Sequence, residues 1–336
     1  MRLMTCSPAV MLFVLAVISC PLALRGEPFS CLGRGDRVTW LRSSSDRQML
    51  DLWCNSVGPP AIVSAPVPTA DTSRLIVFSW NVHVGGGRLE ELIPRLLRQA
   101  SSEDAGLVVL LQEAFRAGAD VPESIPPGLR APSSIRPRRP APDVVAVARQ
   151  FGLSLAYVPS MRNGSSTRPG EREDRGNAVL STEPLSDVLA IELPFGKQRR
   201  VAVAATVTPR HRGLIPIRVL TAHFDTSRDR VQQAEALAER VQWMRALPLI
   251  VGGDLNARRG FRDRAVVAVS RVAALESCGT GRTIRWPLRL DIPFFFLAGR
   301  HDYMFSTLEP HVRRVCRTLS DAHGSDHLPL MLELHR

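Results

Sequence analysis

Lysine is almost missing from this chain: Lys197 is the only one in 336 residues. The formal charge of +11 and the pI near 10.6 therefore rest on arginine. Such basicity points to an anionic partner, whether nucleic acid, phospholipid headgroups or a phosphorylated substrate. An arginine-rich genome composition accounts for it equally well, so charge alone decides nothing. Cys-x-x-Cys and clustered Cys/His patterns are also absent, which argues against a zinc site. The apolar stretch Met11 to Ile18 is too short for a comfortable membrane-spanning helix, and Pro21 breaks the chain shortly after it. No internal repeat is found, which sets repeat arrays aside.

The rest of the composition is ordinary globular material, 45% hydrophobic and 22% charged. That is enough for one large α/β or two-sheet domain. Residues 1–25 read as an export signal, with Arg2 as the basic start and small residues after the apolar core. Val17-Ile18-Ser19-Cys20 resembles a bacterial lipobox, in which Cys20 becomes the lipidated first residue; the alternative is ordinary cleavage between Ala23 and Gly26. The expected location is extracytoplasmic, secreted or lipid-anchored to a bacterial membrane. Cys31, Cys54, Cys278 and Cys316 then remain, and the sequence-local pairing is Cys31–Cys54 with Cys278–Cys316. Free buried thiols are the alternative.

Residues 26–73 read as an N-terminal cap and linker, with a short amphipathic helix across Ser43 to Trp53. From residue 74 to 336 strand and helix signals alternate. Helices are expected at Leu89 to Gln99, Asp143 to Phe151, Arg228 to Arg245 and Arg262 to Ala274. Residues 116–142, rich in proline and carrying Arg130, Arg136, Arg138 and Arg139, form a loop: an exposed insertion or a polyanion-binding arm. Strand-rich halves each carrying helices predict an α/β fold, a four-layer sandwich of two packed mixed β-sheets flanked by helices.

Several apolar strands end in polar residues that a buried strand would not select. Asn81 closes Ile76-Val77-Phe78-Ser79-Trp80, Glu113 follows Val108 to Gln112, and His223 closes Ile217 to Ala222. Asp254 and Asn256 follow Leu249-Ile250-Val251-Gly252-Gly253, Asp302 opens Tyr303-Met304-Phe305, and Asp326-His327 opens Leu328 to Leu334. Each alone reads equally as a cap or turn residue. Together they form a set of acids, amides and histidines that can meet only if the strands converge. Oxygen donors without cysteine suit Mg²⁺ or Mn²⁺ better than zinc. Gly252-Gly253 would let backbone approach a ligand, and an acid beside a histidine holds it in one tautomer. Metal-assisted attack of water on a phosphoryl centre uses all of these parts.

Ser79-Trp80-Asn81, Gln112-Glu113, Arg175-Gly176-Asn177-Ala178-Val179-Leu180-Ser181, Thr221-Ala222-His223-Phe224, Gly252-Gly253-Asp254-Leu255-Asn256, His301-Asp302-Tyr303-Met304-Phe305 and Ser325-Asp326-His327 occur in the order of one family's motifs. By them the chain, over residues 74–336, resembles the endonuclease/exonuclease/phosphatase superfamily. The resemblance implies Glu113 as principal Mg²⁺ ligand, with Asn81 and Asp326 near the same metal. It implies that Asp254 and Asn256 orient the attacking water and bind the scissile phosphate. His327, backed by Asp302, would be general base or phosphate contact, and His223 would hold a phosphate oxygen and help the leaving group. Asn177 and Arg175 fall where the family places substrate-facing groups; Tyr157 and Asn163 are substrate contacts or core and loop residues. His301 stands where the family usually has an apolar residue, His83 and Gly85-Gly86-Gly87 read as a turn or a phosphate contact, and Glu173 or Asp174 is a candidate to orient His223. The implied activity is phosphodiester hydrolysis, with nucleic acid ahead of phospholipid as substrate and a non-catalytic binding protein as the other class. No protein partner is inferred.

Overall fold

The computed structural model describes residues 37–41, 47–66, 71–126, 129, 142–163, 172–209, 215–257, 259–279, 281–284 and 299–335. The export signal, the Cys31 end of the first expected disulfide and most of the 116–142 loop lie outside the described residues.

Two seven-stranded sheets stack face to face. In spatial order, sheet I runs β1 (Val38–Leu41), β7 (Leu185–Glu192), β8 (Val201–Val207), β9 (Ile217–His223), β10 (Leu249–Asp254), β12 (Asp302–Ser306) and β11 (Ala274–Leu275). Sheet II runs β13 (Arg313–Thr318), β14 (Leu330–His335), β3 (Arg74–Asn81), β4 (Ala105–Ala117), β6 (Glu173–Ser181), β5 (Ser154–Arg162) and β2 (Ala61–Val63). Helices α2 (Leu89–Ser102) and α3 (Val144–Gln150) cover the outer face of sheet II; α4 (Arg230–Trp243) and α5 (Arg264–Ser270) cover that of sheet I. A further helix, α1 (Arg47–Cys54), lies between β1 and β2 in sequence.

The apolar runs follow from this layering. A central strand covered on both faces has no reason to alternate, so β3 is buried from Leu75 to Asn81 and β10 throughout. Its side chains still divide by face. Leu75 and Val77 enter the inter-sheet core with Val108, Leu110, Val203, Val219 and Ile250, while Ile76 and Phe78 pack under α2 with Leu92 and Leu96. On the far side Leu220 and Val251 meet Leu237 and Val241 of α4 and Val266 and Val269 of α5. Asp143 caps α3, its carboxylate accepting from the N–H groups of Val145 and Ala146 at 2.9 and 2.8 Å. Helix α2 runs through Pro94, which lies past its first turn and leaves the Glu90 carbonyl without an i→i−4 donor.

Both edges of the sandwich are closed. On one side β1 pairs parallel with β7 and β2 antiparallel with β5, so the N-terminal segment adds an edge strand to each sheet. On the other, Cys278, just beyond β11, is disulfide-bonded to Cys316 of β13, with Cα atoms 4.4 Å apart. That bridge joins the edge of sheet I to the edge of sheet II, with the Arg314–Glu276 ion pair beside it at 3.0 Å. Cys54 is also disulfide-bonded.

Two sequence expectations change here. Strand β4 does not stop at Glu113 but continues to Ala117 through a bulge between Leu111 and Ala114. Gly252 and Gly253 serve packing rather than a ligand. A Cβ at Gly252 would lie 2.8 Å from Ser79 Oγ of the opposite sheet, and one at Gly253 would strike the Ala222 carbonyl on β9.

A buried ion pair adds a further tie between the sheets. Arg199 and Glu192 are 0% and 1% exposed and joined by two hydrogen bonds of 2.8 Å; Arg199 also reaches the carbonyls of Pro159 and Ser160 on β5. Removing one partner strands a charge in the interior. Glu192→Ala is therefore expected to lower unfolding free energy by roughly 3–5 kcal/mol, measured by urea denaturation; a loss typical of a surface ion pair would contradict this.

Candidate functional site

The polar strand ends meet at one rim of the sandwich because of strand direction and register. In sheet I, β9 and β10 are parallel with His223 beside Asp254, and β12 is antiparallel with Asp302 opposite the same Asp254. Three side chains thus stand in a row across adjacent strands. In sheet II, β3 and β4 are parallel with Asn81 beside Gln112, which puts Glu113 one step further on. Strand β14 runs antiparallel to β3, so Ser325-Asp326-His327 arrives where Asn81 leaves. Ser325 Oγ donates to the Asn81 carbonyl at 2.7 Å and accepts from the His327 N–H at 3.0 Å, while Trp80 Nε1 donates to the His327 carbonyl at 3.1 Å.

The two rows are joined side chain to side chain. Asn81 Nδ2 donates to Asp254 Oδ2 at 2.9 Å, and the Asn256 N–H donates to Asp254 Oδ1 at 2.8 Å. His327 Nδ1 lies 2.8 Å from Asp302 Oδ2, and its Nε2 is 3.7 Å from Asp254 Oδ2 and 3.9 Å from Asp326 Oδ1. His223 Nε2 is 3.1 Å from Asn256 Nδ2 and 3.4 Å from Asp254 Oδ2, and its Nδ1 is 3.8 Å from Glu113 Oε1. Glu113 and Asn256 both hold left-handed backbone, φ 56° and 48°, which non-glycine residues adopt at a cost and which here aims them inward.

Burial sorts the charges. Asp254 is pushed up to about 7, chiefly by desolvation, against the opposing pull of His327. His327 loses by desolvation too, but the Asp302 and Asp254 carboxylates outweigh it and raise the imidazole to about 10. His223 is driven well below its ordinary value by burial, with Arg200 adding to the effect. A neutral His223 accepts from Asn256 Nδ2 through Nε2 and keeps its proton on Nδ1, a tautomer assigned from the hydrogen bonds. For Asp326, burial is outweighed by the hydrogen bond from His83 Nδ1 at 2.8 Å, which holds the carboxyl low; the same bond raises His83.

Arg175 and Asn177 line a cleft together with Glu113, Ser160, Arg200 and His223. Asn177 Nδ2 donates to the Val201 carbonyl across the sheets at 2.7 Å. Neither Glu173 nor Asp174 orients His223. Asp174 is buried against Arg116, Tyr157 Oη and the Gly58 N–H, and Glu173 accepts from Asn163. Tyr157 is accordingly a core residue, and Asn163 a loop tie. The glycines after His83 form a turn in which Gly87 packs on the Trp80 ring. His301 sets its ring edge-on to His327, centroids 6.4 Å apart. Sequence reading passed over Arg200, whose only signal was an arginine pair abutting an apolar strand. It also assigned no role to the His83–Asp326 contact. A second cavity, about 660 Å³, lies between the start of α4 and the 259–264 turn, lined by Arg228, Arg230, Arg259, Arg262 and Arg264 with Glu235 and Asp263.

The donor set suits a hard divalent cation. Among the described residues, Asp254, Asp302 and His327 bring ligand atoms within 4.8 Å of one another, and Asp302 Oδ1 is buried without a hydrogen-bond partner. Among the described residues the part-buried Glu113 has only the 3.8 Å contact with His223, which leaves its oxygens to face a metal.

Comparison with known proteins agrees with this geometry. Residues 78–327 match the profile of the Endonuclease/Exonuclease/phosphatase family. Among solved structures, the fold is similar to an endonuclease/exonuclease/phosphatase from Beutenbergia cavernae, at 20% identity over 78% of this chain and 72% of that one, TM-score 0.55. It is similar also to a family protein from Leptotrichia buccalis, at 15% identity over 78% and 100%, TM-score 0.55. The catalytic domain of human Nocturnin with bound sulfate anion aligns at 15% identity over 82% and 97%, TM-score 0.51. No curated protein sequence matches the chain. With the profile spanning most of its length and the two-sheet fold in common, the chain belongs to the endonuclease/exonuclease/phosphatase family.

Proposed function

We propose that this protein is an exported, divalent-metal-dependent phosphodiester hydrolase, and that its substrate is nucleic acid. The observation that carries the reading is the convergence of Asp254 and Asn256, the His327–Asp302 pair and the open carboxylate of Glu113 at one rim. Glu113, Asn81 and Asp326 would hold Mg²⁺ or Mn²⁺, with the unpartnered Asp302 Oδ1 facing the same group of donors. When bound, the cation would offset the negative charge that builds on the phosphate oxygens. Asp254, poised near neutrality and steadied on both oxygens, accepts the proton of the attacking water. Asn256 turns its amide to the same region. His327, charged at neutral pH, acts as a donor to a phosphate oxygen from Nε2 rather than as the base. Neutral His223 offers its Nδ1–H at the cleft. The arginine-lined cavity beyond Asn256 and the +11 charge support a polyanionic substrate.

Export is supported by the Cys278–Cys316 disulfide, a bond that persists in oxidising compartments. With lipidation at Cys20, mass spectrometry of the mature protein finds a lipid-modified N-terminus at that residue; a start beyond Cys20 removes the membrane attachment.

Cleavage of plasmid DNA or RNA is expected with Mg²⁺ or Mn²⁺, to be lost on chelation, and to fall about 100- to 1,000-fold in kcat in His327→Ala. Release of phosphocholine or inositol phosphate from vesicles without DNA nicking would move the enzyme to the phospholipase C class. No turnover of any phosphoester by folded, metal-supplemented protein would leave only a binding role.

The charge on His327 has its own test. Its folded pKa lies above the ordinary 6.5, so the pairing contributes full stability below about pH 6.5 and loses it as pH rises through about 10. In chelator-treated protein the stability gap between wild type and Asp302→Asn, from urea unfolding, should narrow from about pH 6 to about pH 10. A gap constant across that window would mean a neutral His327.

A further inference from the structure

We propose that the arginine-lined cavity between the start of α4 and the 259–264 turn is an exosite for single-stranded nucleic acid. Its guanidiniums hold phosphates of the strand beyond the one being cleaved, and Phe261 stacks a base. The assignment rests on the nucleic-acid reading of the catalytic rim and adds residues that take no part in cleavage.

The cavity, about 660 Å³, draws its arginines from two short segments. Arg228 and Arg230 come from the start of α4, and Arg259, Arg262 and Arg264 from the 259–264 turn. Arg230 and Arg264 are matched, to Asp263 at 2.9 Å and Glu235 at 3.9 Å. The first of these pairs is structural. Arg230 also donates to the Ser227 carbonyl, and Asp263 caps α5 by accepting from the Ala265 N–H, so the two segments keep their spacing. Arg228, Arg259 and Arg262 are exposed, and among the described residues none has a carboxylate within ion-pair distance. Guanidinium forks favour phosphate oxygens, and three unmatched ones around a concave space suit an anion with several phosphates.

This cavity is separate from the catalytic cleft. Its lining shares no residue with the cleft of Glu113, Ser160, Arg175, Asn177, Arg200 and His223, and it belongs to the helical layer outside sheet I. The two are nonetheless neighbours. Arg259 follows Asn256 by three residues, a length of chain that spans roughly 11 Å at most. A helical strand rises ~3.4 Å per nucleotide, so about three or four nucleotides connect the reacting phosphate with the arginines.

Phe261, in the same turn, is 46% exposed. The Arg300 guanidinium backs its ring at 5.2 Å from the centroid, and Tyr303 packs edge-to-face with it, centroids 6.0 Å apart. Arg300 in turn donates to the Asp302 carbonyl, which fixes the ring relative to the catalytic row. An exposed aromatic ring among arginines matches a single strand, whose unpaired bases stack while its phosphates pair. A duplex keeps its bases stacked inside, and a flat lipid surface does not enter a concave cavity.

Fluorescence anisotropy of chelator-treated protein with an oligothymidylate of about 12 nucleotides reads the exosite without turnover. Wild type should bind it more tightly than a duplex of the same length. Arg259→Ala and Arg262→Ala should each lower the slope of log affinity against log salt by about 0.7, one phosphate contact, and Arg262→Lys should keep the slope. Phe261→Ala should weaken binding about fivefold or more with the slope unchanged. In cleavage, the Arg259→Ala/Arg262→Ala double variant should lose about tenfold in kcat/KM on the oligonucleotide. It should lose nothing on dithymidine phosphodiester, which is too short to reach the cavity, and its melting temperature should not fall. A failed hydrolase reading leaves the binding measurements intact. Equal loss on the dinucleotide would place these arginines in the catalytic cleft. That outcome, unchanged oligonucleotide affinity in the variants, a duplex bound as tightly, or binding of phosphatidylglycerol vesicles in place of the oligonucleotide would each overturn the proposal.

Discussion

One hydrogen bond crosses the molecule where it matters: Asn81 Nδ2 to Asp254 Oδ2, between the ends of two strands in different sheets. It forms only if the sheets pack at one separation and one stagger. The apolar interface of Leu75, Val77, Leu110, Val219 and Ile250 sets the first, and the absent side chain at Gly252 lets Ser79 and Leu110 come close enough for the second. On one side of that bond stand His223, Asp254 and Asp302; on the other stand Glu113, Asp326 and His327. The disulfide and the edge strands β1 and β2 hold the same geometry from the margins.

The fold treats buried charge in two ways. Structural guanidiniums such as Arg116 and Arg199 are matched to carboxylates that touch them, and they tie distant segments together. At the rim, charges are left unmatched or shared. Among the described residues Asp302 Oδ1, Arg175 Nη1 and Arg200 Nε have no hydrogen-bond partner, the Asp254 carboxyl is raised to about 7, and Glu113 and Asn256 adopt left-handed backbone. Interior energy lost there is offset by the well-packed layers around it.

Much of this is legible in the chain itself. Apolar runs of strand length, each closed by an amide, acid or imidazole, mark Asn81, His223, Asp254, Asp302 and His327, and their order marks the family. Helices α3 and α4 show themselves by a capping aspartate and a 3.6-residue stripe. Less is visible where function depends on what lies across a cleft. Arg200 reads as one arginine among many, and its burial follows only from the approach of β6 and β5 to β8. Glu113 looks like a strand terminus, because a bulge leaves no local trace when both flanks are apolar. Gly252-Gly253 suggests ligand contact, since a glycine records that something is close without recording what.

By itself the sequence determined the parts: which strands are buried on both faces, which polar groups end them, and that the donors are hard oxygen atoms and imidazoles. Those are local properties, written in composition and period. The tertiary structure alone decided their states. It raised the Asp254 carboxyl and the His327 imidazole, lowered His223, and brought two arginines to one cleft. Protonation and pairing depend on desolvation and on distances between residues as far apart as Asn81 and Asp254, 173 positions along the chain. Such distances exist only once the sheets have closed on each other.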